Sequence, residues 1–154
     1  MTLGRKEEPL DWLERFVEEK EKLEGVPPAR PWVFNRPTDV TWDRDGNIFI
    51  SDGYNNSRVA KFTKDGNWAG EVGTRGSGPQ QFNTPHGITS AANGNIYVAD
   101  RGNRRIHVYD SQLKPVRMIE GIGAPWTVCT TPGPTQYLFS GDGRSEEHTS
   151  ELQS

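Results

Sequence analysis

Thr84-Pro85-His86-Gly87-Ile88 opens a segment that the chain has already used once, at Arg36-Pro37-Thr38-Asp39-Val40. After Pro37 come Asp45-Gly46-Asn47-Ile48-Phe49-Ile50-Ser51-Asp52, then Asn55, Ser57-Arg58-Val59 and Phe62. After Pro85 come Asn93-Gly94-Asn95-Ile96-Tyr97-Val98-Ala99-Asp100, then Asn103, Arg105-Ile106 and Tyr109. The copies lie 48 residues apart, counted from Pro37 to Pro85 and again from Asp52 to Asp100. Self-similarity at this period is the signature of stacked repeat units, as in solenoids and propellers. One difference between the copies stands out: the residue after the opening proline is Thr38 in the first and His86 in the second.

Each copy divides into four short strands. In the first they are expected near 38–42, 47–51, 58–62 and 69–72. Asp43-Arg44-Asp45-Gly46 and Lys64-Asp65-Gly66 stand between them, and Asp-Gly is a strong hairpin signal. In the second copy they are expected near 86–90, 95–99, 105–109 and 116–119. Four antiparallel strands per repeat is the pattern of a propeller blade. Trp42, Phe62, Tyr97 and Tyr109 read as blade core, and Trp68 and Trp126 as packing residues. A third copy starts at Ala124-Pro125-Trp126-Thr127-Val128, with a second strand at 136–140 that runs into Gly141-Asp142.

The expected order is an N-terminal helix and proline-rich linker (1–30), a blade (31–73), an inter-blade loop (74–83), a blade (84–121) and a partial blade (122–143). Leu10, Leu13, Phe16, Val17 and Leu23 fall on one helical face, with Pro9 at its start and Gly25 and Pro27-Pro28 beyond its end. The polar face of that helix is rich in Glu, whereas a membrane-surface helix wants a basic one. The glycine-rich stretch Gly73-Thr74-Arg75-Gly76-Ser77-Gly78-Pro79 reads as a flexible connector. It lacks the Gly-Lys-Ser/Thr of a phosphate loop. Residues 144–154 match the in-frame translation of a sequencing-adapter oligonucleotide and are set aside from fold reasoning. His148, which lies in that string, is therefore given no function. The natural chain is expected to continue past this point.

Composition agrees with an all-β reading. Of 154 residues, 32% are hydrophobic, with 17 Gly and 11 Pro, which suits many short strands joined by turns. A net charge of −3 argues against a nucleic-acid-binding surface. No apolar run reaches the about 18 residues of a membrane-spanning helix. No signal peptide is visible, and the single cysteine, Cys129, excludes an internal disulfide.

The pattern Pro-x-x-Val/Ile, Gly-Asn-Ile-Phe/Tyr-Ile/Val-x-Asp, Asn-x-x-Arg-Val/Ile resembles the NHL repeat. Four stretches narrow the resemblance. Phe34-Asn35-Arg36-Pro37-Thr38-Asp39-Val40, Ser51-Asp52-Gly53-Tyr54-Asn55-Asn56-Ser57-Arg58-Val59, Gln81-Phe82-Asn83-Thr84-Pro85-His86-Gly87-Ile88 and Asp100-Arg101-Gly102-Asn103-Arg104-Arg105-Ile106 are similar to peptidyl-alpha-hydroxyglycine alpha-amidating lyases. That family is a six-bladed propeller. It cleaves a peptidyl or small alpha-hydroxy-amide substrate into an amide and glyoxylate, with an axial zinc held by three His and a structural calcium.

The resemblance implies several roles. His86 would be one zinc ligand, the backbone carbonyls of Val40 and Ile88 would face calcium, and Arg58 would stand on the substrate side. The other two His and the catalytic Tyr would lie in further blades, so this stretch alone is expected to be inactive. The complete protein is expected in the periplasm or outside the cell. Asn55 departs from the family, whose animal members carry Cys there.

The residues themselves leave alternatives open. Arg58 and Asp52 recur as Arg105 and Asp100, which favours a structural role in each blade. Tyr54 has no such counterpart, since Gly102 stands in its place. His107, on a third strand, reads as an ordinary core histidine. The rival function is a non-enzymatic NHL propeller that binds a protein or other ligand. A third class, a propeller hydrolase or lactonase, would want a carboxylate-lined calcium site.

Overall fold

A computed structural model describes residues 33–143 and the backbone of 152–153. The chain divides into two compact units, Met1–Val33 and Phe34–Ser154, and all the structure below belongs to the second. The helix expected over 10–23 lies outside the described residues.

Each full copy folds as one four-stranded antiparallel sheet. The first is β1 (Asp39–Trp42), β2 (Ile48–Asp52), β3 (Arg58–Phe62) and β4 (Trp68–Val72), side by side in that order. A two-residue parallel pair, β5 (Thr74–Arg75) and β6 (Gln81–Phe82), follows. The second copy is β7 (Pro85–Ser90), β8 (Ile96–Asp100), β9 (Arg105–Tyr109) and β10 (Pro115–Ile119). The third begins with β11 (Pro125–Thr130) and β12 (Tyr137–Asp142), and β13 (Leu152–Gln153) pairs with β12.

The turns follow from their residues. Gly46 and Gly94 take φ of 83° and 86°, in the left-handed region that glycine enters without steric cost. Asp43 Oδ1 accepts the N–H groups of Asp45 and Asn47, closing the first hairpin locally. The backbone repeats even where it is unusual. Arg36 and Thr84, which precede the opening prolines, have φ of 62° and 61°; Ser57 and Arg104, which precede the third strands, have 54° and 58°.

The blades stack face to face, and strand alternation sorts their side chains between two cores. Ile96 and Val98 of β8 join Phe49, Val59, Phe82, Ile88 and Tyr109 between the first and second sheets. Tyr97 and Ala99 of the same strand join Ile106, Val108, Val128 and Leu138 between the second and third. Every residue of β8 and β9 is accordingly buried.

A carboxylate recurs at the end of each second strand, fully buried in the first two. Asp100, with no exposed surface, accepts from the Asn83 N–H (2.8 Å), Asn103 Nδ2 (2.7 Å) and Arg105 Nε (2.9 Å). Asp52 accepts from the Asn35 N–H (3.0 Å), Asn56 Nδ2 (2.6 Å) and Arg58 Nε (3.1 Å). Asp142 takes the Ala124 N–H at 2.9 Å. Arg105 also reaches the carbonyls of Ser77, Gly78 and Gln81. One ion pair thus fixes the connector between blades as well as the blade.

Two expectations are corrected. Trp42 is not core: it is 57% exposed. Thr41 faces the second blade, with Oγ1 3.4 Å from Ser90 Oγ, so its neighbours Val40 and Trp42 alternate onto the opposite face of β1. The stretch after Gly73 is not merely a flexible connector. It holds the β5–β6 pair, Phe82 is fully buried, and Gly73 abuts the Phe82 ring.

Asp100→Ala is expected to cost about 3–5 kcal/mol, since it leaves the Arg105 guanidinium buried without its counter-ion. Asp52→Ala should cost less, because Arg58 keeps Glu71 at 2.6 Å; paired urea melts compare the two. Tyr109 gives a pH prediction. Burial, then the Asp100 charge, hold its phenol pKa well above the ordinary value. Ionisation therefore opposes the folded state: the contribution is intact below pH about 10 and is lost as pH rises above it. Tyr109→Phe should flatten the alkaline fall of stability in melts across pH 8–12, and an unchanged fall would contradict this.

Candidate functional site

The innermost strands β1, β7 and β11 lie side by side, and the position after each opening proline holds Thr38, His86 and Trp126. The register of β7 slips between Pro85 and Ile88, and that of β11 between Pro125 and Thr127. A bulge therefore sits at His86 and another at Trp126; such bulges re-aim the side chain they carry.

Side chains at this position stitch one blade to the next. Thr38 Oγ1 lies 2.9 Å from the Pro85 carbonyl oxygen, and His86 Nδ1 lies 2.7 Å from that of Trp126. A carbonyl has no proton to give, so Nδ1 must carry one. In the neutral ring the lone pair then resides on Nε2, 3.3 Å from the Tyr54 hydroxyl. Tyr54 and His86 meet edge to face at 5.8 Å, and the Trp126 ring is 5.0 Å from His86.

Glycine makes this approach possible. A Cβ on Gly53 would lie 1.7 Å from the Pro85 oxygen, and one on Gly87 would lie 2.7 Å from Thr127 Cα. Asn55, where animal relatives of the resembled family carry Cys, instead donates from Nδ2 to Asn35 Oδ1 at 2.7 Å. That bond ties the loop bearing Tyr54 to the segment before β1.

Beside His86 opens a cleft of about 440 Å³ whose walls include Tyr54, Thr84, Arg101, Arg104 and Trp126. Arg101 lies with Cζ 3.5 Å from the centre of a Trp126 ring. The backbone beneath it is pinned: the N–H of Arg101 reaches the Thr84 carbonyl at 3.3 Å, and that of Gly102 reaches the Asn83 carbonyl at 2.7 Å.

The expected site residues separate. His86 adjoins the cleft through Tyr54 and Trp126. Arg58 is not among the cleft walls: it bonds Asp52 and Glu71, and its guanidinium lies 5.8 Å from the Phe34 ring centre and 5.9 Å from that of Trp68. Val40 and Ile88 stand at equivalent registers, opposite Ile50 and Val98. Asp39 joins them, accepting the N–H of Val40 on Oδ1 and that of Ile88 on Oδ2, both at 2.9 Å. His107 is buried, with Nε2 3.2 Å from Asp100 Oδ2 and its ring stacked on Tyr109.

Sequence reasoning passed over Thr84, Arg101 and Arg104 and gave Trp126 to packing. The usable signal was the comparison of copies. Arg101 and Arg104 correspond to Gly53 and Ser57, and Thr84 to Arg36, so none of them is part of the repeated scaffold.

Comparison with known proteins bears on this geometry. A family model described as a 6-bladed beta-propeller matches residues 34–152. Human NHL repeat-containing protein 3 is 37% identical over 117 residues, covering 74% of this chain and 32% of that protein. A Caenorhabditis elegans protein named "Probable peptidyl-alpha-hydroxyglycine alpha-amidating lyase pgal-1" is 33% identical over 124 residues, covering 74% and 35%. The chain thus spans about a third of the length of these curated relatives.

Among solved structures, a Bacteroides fragilis protein superposes with a TM-score of 0.63 at 14% identity, covering 80% of this chain and 34% of that one. Kuenenia stuttgartiensis hydrazine synthase gives 0.54 at 20% identity, covering 74% and 32%. At these identities the likeness is one of fold. With stacked antiparallel sheets whose first two copies lie 48 residues apart, and a family model spanning nearly all the described residues, the chain belongs to the 6-bladed beta-propeller family, with blades of the NHL repeat type.

Proposed function

We propose that this chain is part of an amidating-lyase-like enzyme that splits a peptidyl-alpha-hydroxyglycine into a peptide amide and glyoxylate. The observation that carries the reading is the bonding of His86. Its Nδ1–H is committed to the Trp126 carbonyl, so Nε2 presents a lone pair at the axial end of an innermost strand. Metal-binding histidines are oriented in this way, by a second-sphere acceptor on the other nitrogen. Similarity to the lyase-named relative supports the same reading.

The donor chemistry fits zinc at one position. A neutral imidazole nitrogen suits it, and an open catalytic site takes three protein ligands. Among the described residues, no group of three or more His, Cys, Asp or Glu stands close enough to hold a metal, so His86 supplies one ligand and not a complete site. In a six-bladed ring, alternate blades stand about 120° apart, so a His in every second blade would converge on the axis. Thr38, His86 and Trp126 at successive opening positions agree with that alternation. The zinc would supply a Lewis acid for the alpha-hydroxyl oxygen of the substrate, making its proton easier to remove. Calcium, by the same reading, would take the carbonyl oxygens of Val40 and Ile88.

The reaction removes the proton of the alpha-hydroxyl. Its C–O bond becomes the aldehyde of glyoxylate, the C–N bond breaks, and the nitrogen keeps the electron pair and takes a proton. What this chain contributes is position: the Trp126 carbonyl holds the His86 ring, Tyr54 presents a hydroxyl at its outer edge, and the cleft lies alongside. A binding propeller without chemistry is the second reading, favoured by the 37% identity to NHL repeat-containing protein 3. It needs the cleft but not the histidine.

Two experiments check the proposal. Long-range 1H–15N spectra at pH 8 should show His86 as the Nδ1–H tautomer, and an Nε2–H ring would remove the basis for ligation. In the full-length protein, His86→Ala should abolish bound zinc and glyoxylate release from an alpha-hydroxyglycine peptide. Unchanged zinc content and turnover would leave the binding-module reading in its place.

A further inference from the structure

We infer that Arg75, on the connector between the first two blades, is a positioning residue: it sets where Tyr54 meets His86. The consequence for turnover rests on the lyase reading; the positioning itself does not.

The first argument compares the loop that carries Tyr54 with its copy. In the second blade the turn after β8 is pinned by backbone, with the Arg101 N–H on the Thr84 carbonyl and the Gly102 N–H on that of Asn83. In the first blade, among the described residues, Gly53 and Tyr54 make neither corresponding bond. Side chains take their place. Arg75 Nη2 donates to the Tyr54 carbonyl at 3.2 Å, and Asn55 Nδ2 donates to Asn35 Oδ1 at 2.7 Å. The Asn56–Asp52 bond, repeated as Asn103–Asp100, fixes only the far end of the loop. Tyr54 is 41% exposed, so burial holds it only in part.

The second argument is what Arg75 is mounted on. It pairs in β5 with Phe82 of β6, which is fully buried. Asn103 Nδ2 holds the next carbonyl, that of Gly76, at 2.8 Å. Arg105 holds the carbonyls of Ser77, Gly78 and Gln81, and is itself fixed by Asp100. The backbone of Arg75 thus stands on a platform set by the second blade, and a side chain on a rigid support can aim its partner closely. The repeat does not need this platform for its own sake. The connector from β4 to β7 runs over 73–84, twelve residues; that from β10 to β11 runs over 120–124, five. One blade can follow another without a β5–β6 pair. The added length carries an arginine to the Tyr54 loop.

The Tyr54 hydroxyl lies 3.3 Å from His86 Nε2, and the two rings meet edge to face. Carbonyl and ring belong to one residue, so a shift of the Tyr54 backbone carries the hydroxyl with it. Displacement of a site group by about 1 Å can cost about a hundredfold in rate. Arg75 touches neither His86 nor the cleft walls; its action passes through Tyr54.

The test follows the 15N resonance of His86 Nε2 in chelator-treated full-length protein at pH 8, where the imidazole is neutral. Tyr54→Phe removes the hydroxyl and defines the shift that its loss produces. Arg75→Met keeps the aliphatic stem and removes the donor; it should move Nε2 in the same direction. Arg75→Lys keeps a cationic donor and should return Nε2 toward its original position. In a Tyr54→Phe background Arg75→Met should add nothing, because the two changes act through one contact. Arg117→Met, on exposed β10, should leave Nε2 where it is. In turnover, Arg75→Met should lower kcat about tenfold or more with KM unchanged, as for altered geometry without lost binding.

An unmoved Nε2 in Arg75→Met would overturn the inference, and so would an equal shift in the Tyr54→Phe background. If Nε2 responds as expected and the full-length protein makes no glyoxylate, the lyase reading fails alone. If glyoxylate forms and Arg75→Met changes neither Nε2 nor kcat, the positioning fails alone.

Discussion

The carboxylate of Asp100 is the point through which the described structure is tied together. It is fully buried and accepts from the backbone before the blade, from Asn103 in the turn and from Arg105 on the third strand. A buried charge is tolerable only when paired and fully bonded, and this one is. Because Arg105 also grips three carbonyls of the connector, the pair sets where one blade ends and the next begins. Asp52 accepts the corresponding backbone, amide and guanidinium donors in the first blade, and Asp142 the corresponding backbone N–H in the third. The scaffold is therefore specified by polar contacts as much as by the two apolar layers between sheets.

A repeating scaffold frees the positions that do not repeat. His86, Tyr54, Arg101 and Arg104 each replace a different residue in the other copy: Thr38, Gly102, Gly53 and Ser57. They do not scatter over the surface. They gather at the joint where the first, second and third innermost strands abut. Gly53 and Gly87 allow that joint by leaving no side chain between neighbouring backbones. Substitution of one repeat against another here builds a cleft with a histidine at its edge and two arginines in its wall.

Much of the fold was legible in the sequence because its signals are local. The Asp-Gly turns marked hairpins, and in the two full blades strand ends differ from expectation by one residue at most. The recurrence of Asp52 and Arg58 as Asp100 and Arg105 announced a structural pair. What was not legible depends on neighbours. Trp42 looks like a core residue by type, but its exposure is decided by which face of β1 the second blade covers. The β5–β6 pair has two residues per strand, too few for any alternation to show. In the site, His86 was marked by its position, and Tyr54 was noticed for lacking a counterpart. Arg101 and Arg104 were hidden inside a motif read as a whole. Their place beside the cleft depends on a neighbour from the following copy, Trp126, whose ring lies against Arg101.

The central claim is that a single histidine at one of three opening positions is an axial metal ligand, held in its tautomer by the next blade. X-ray diffraction across the zinc absorption edge, on crystals of the full-length protein, addresses it most directly. The account predicts one anomalous peak at about 2.0–2.1 Å from His86 Nε2, with Nδ1 still bonded to the Trp126 carbonyl. A zinc peak elsewhere, with His86 Nε2 still on the Tyr54 hydroxyl, would contradict it.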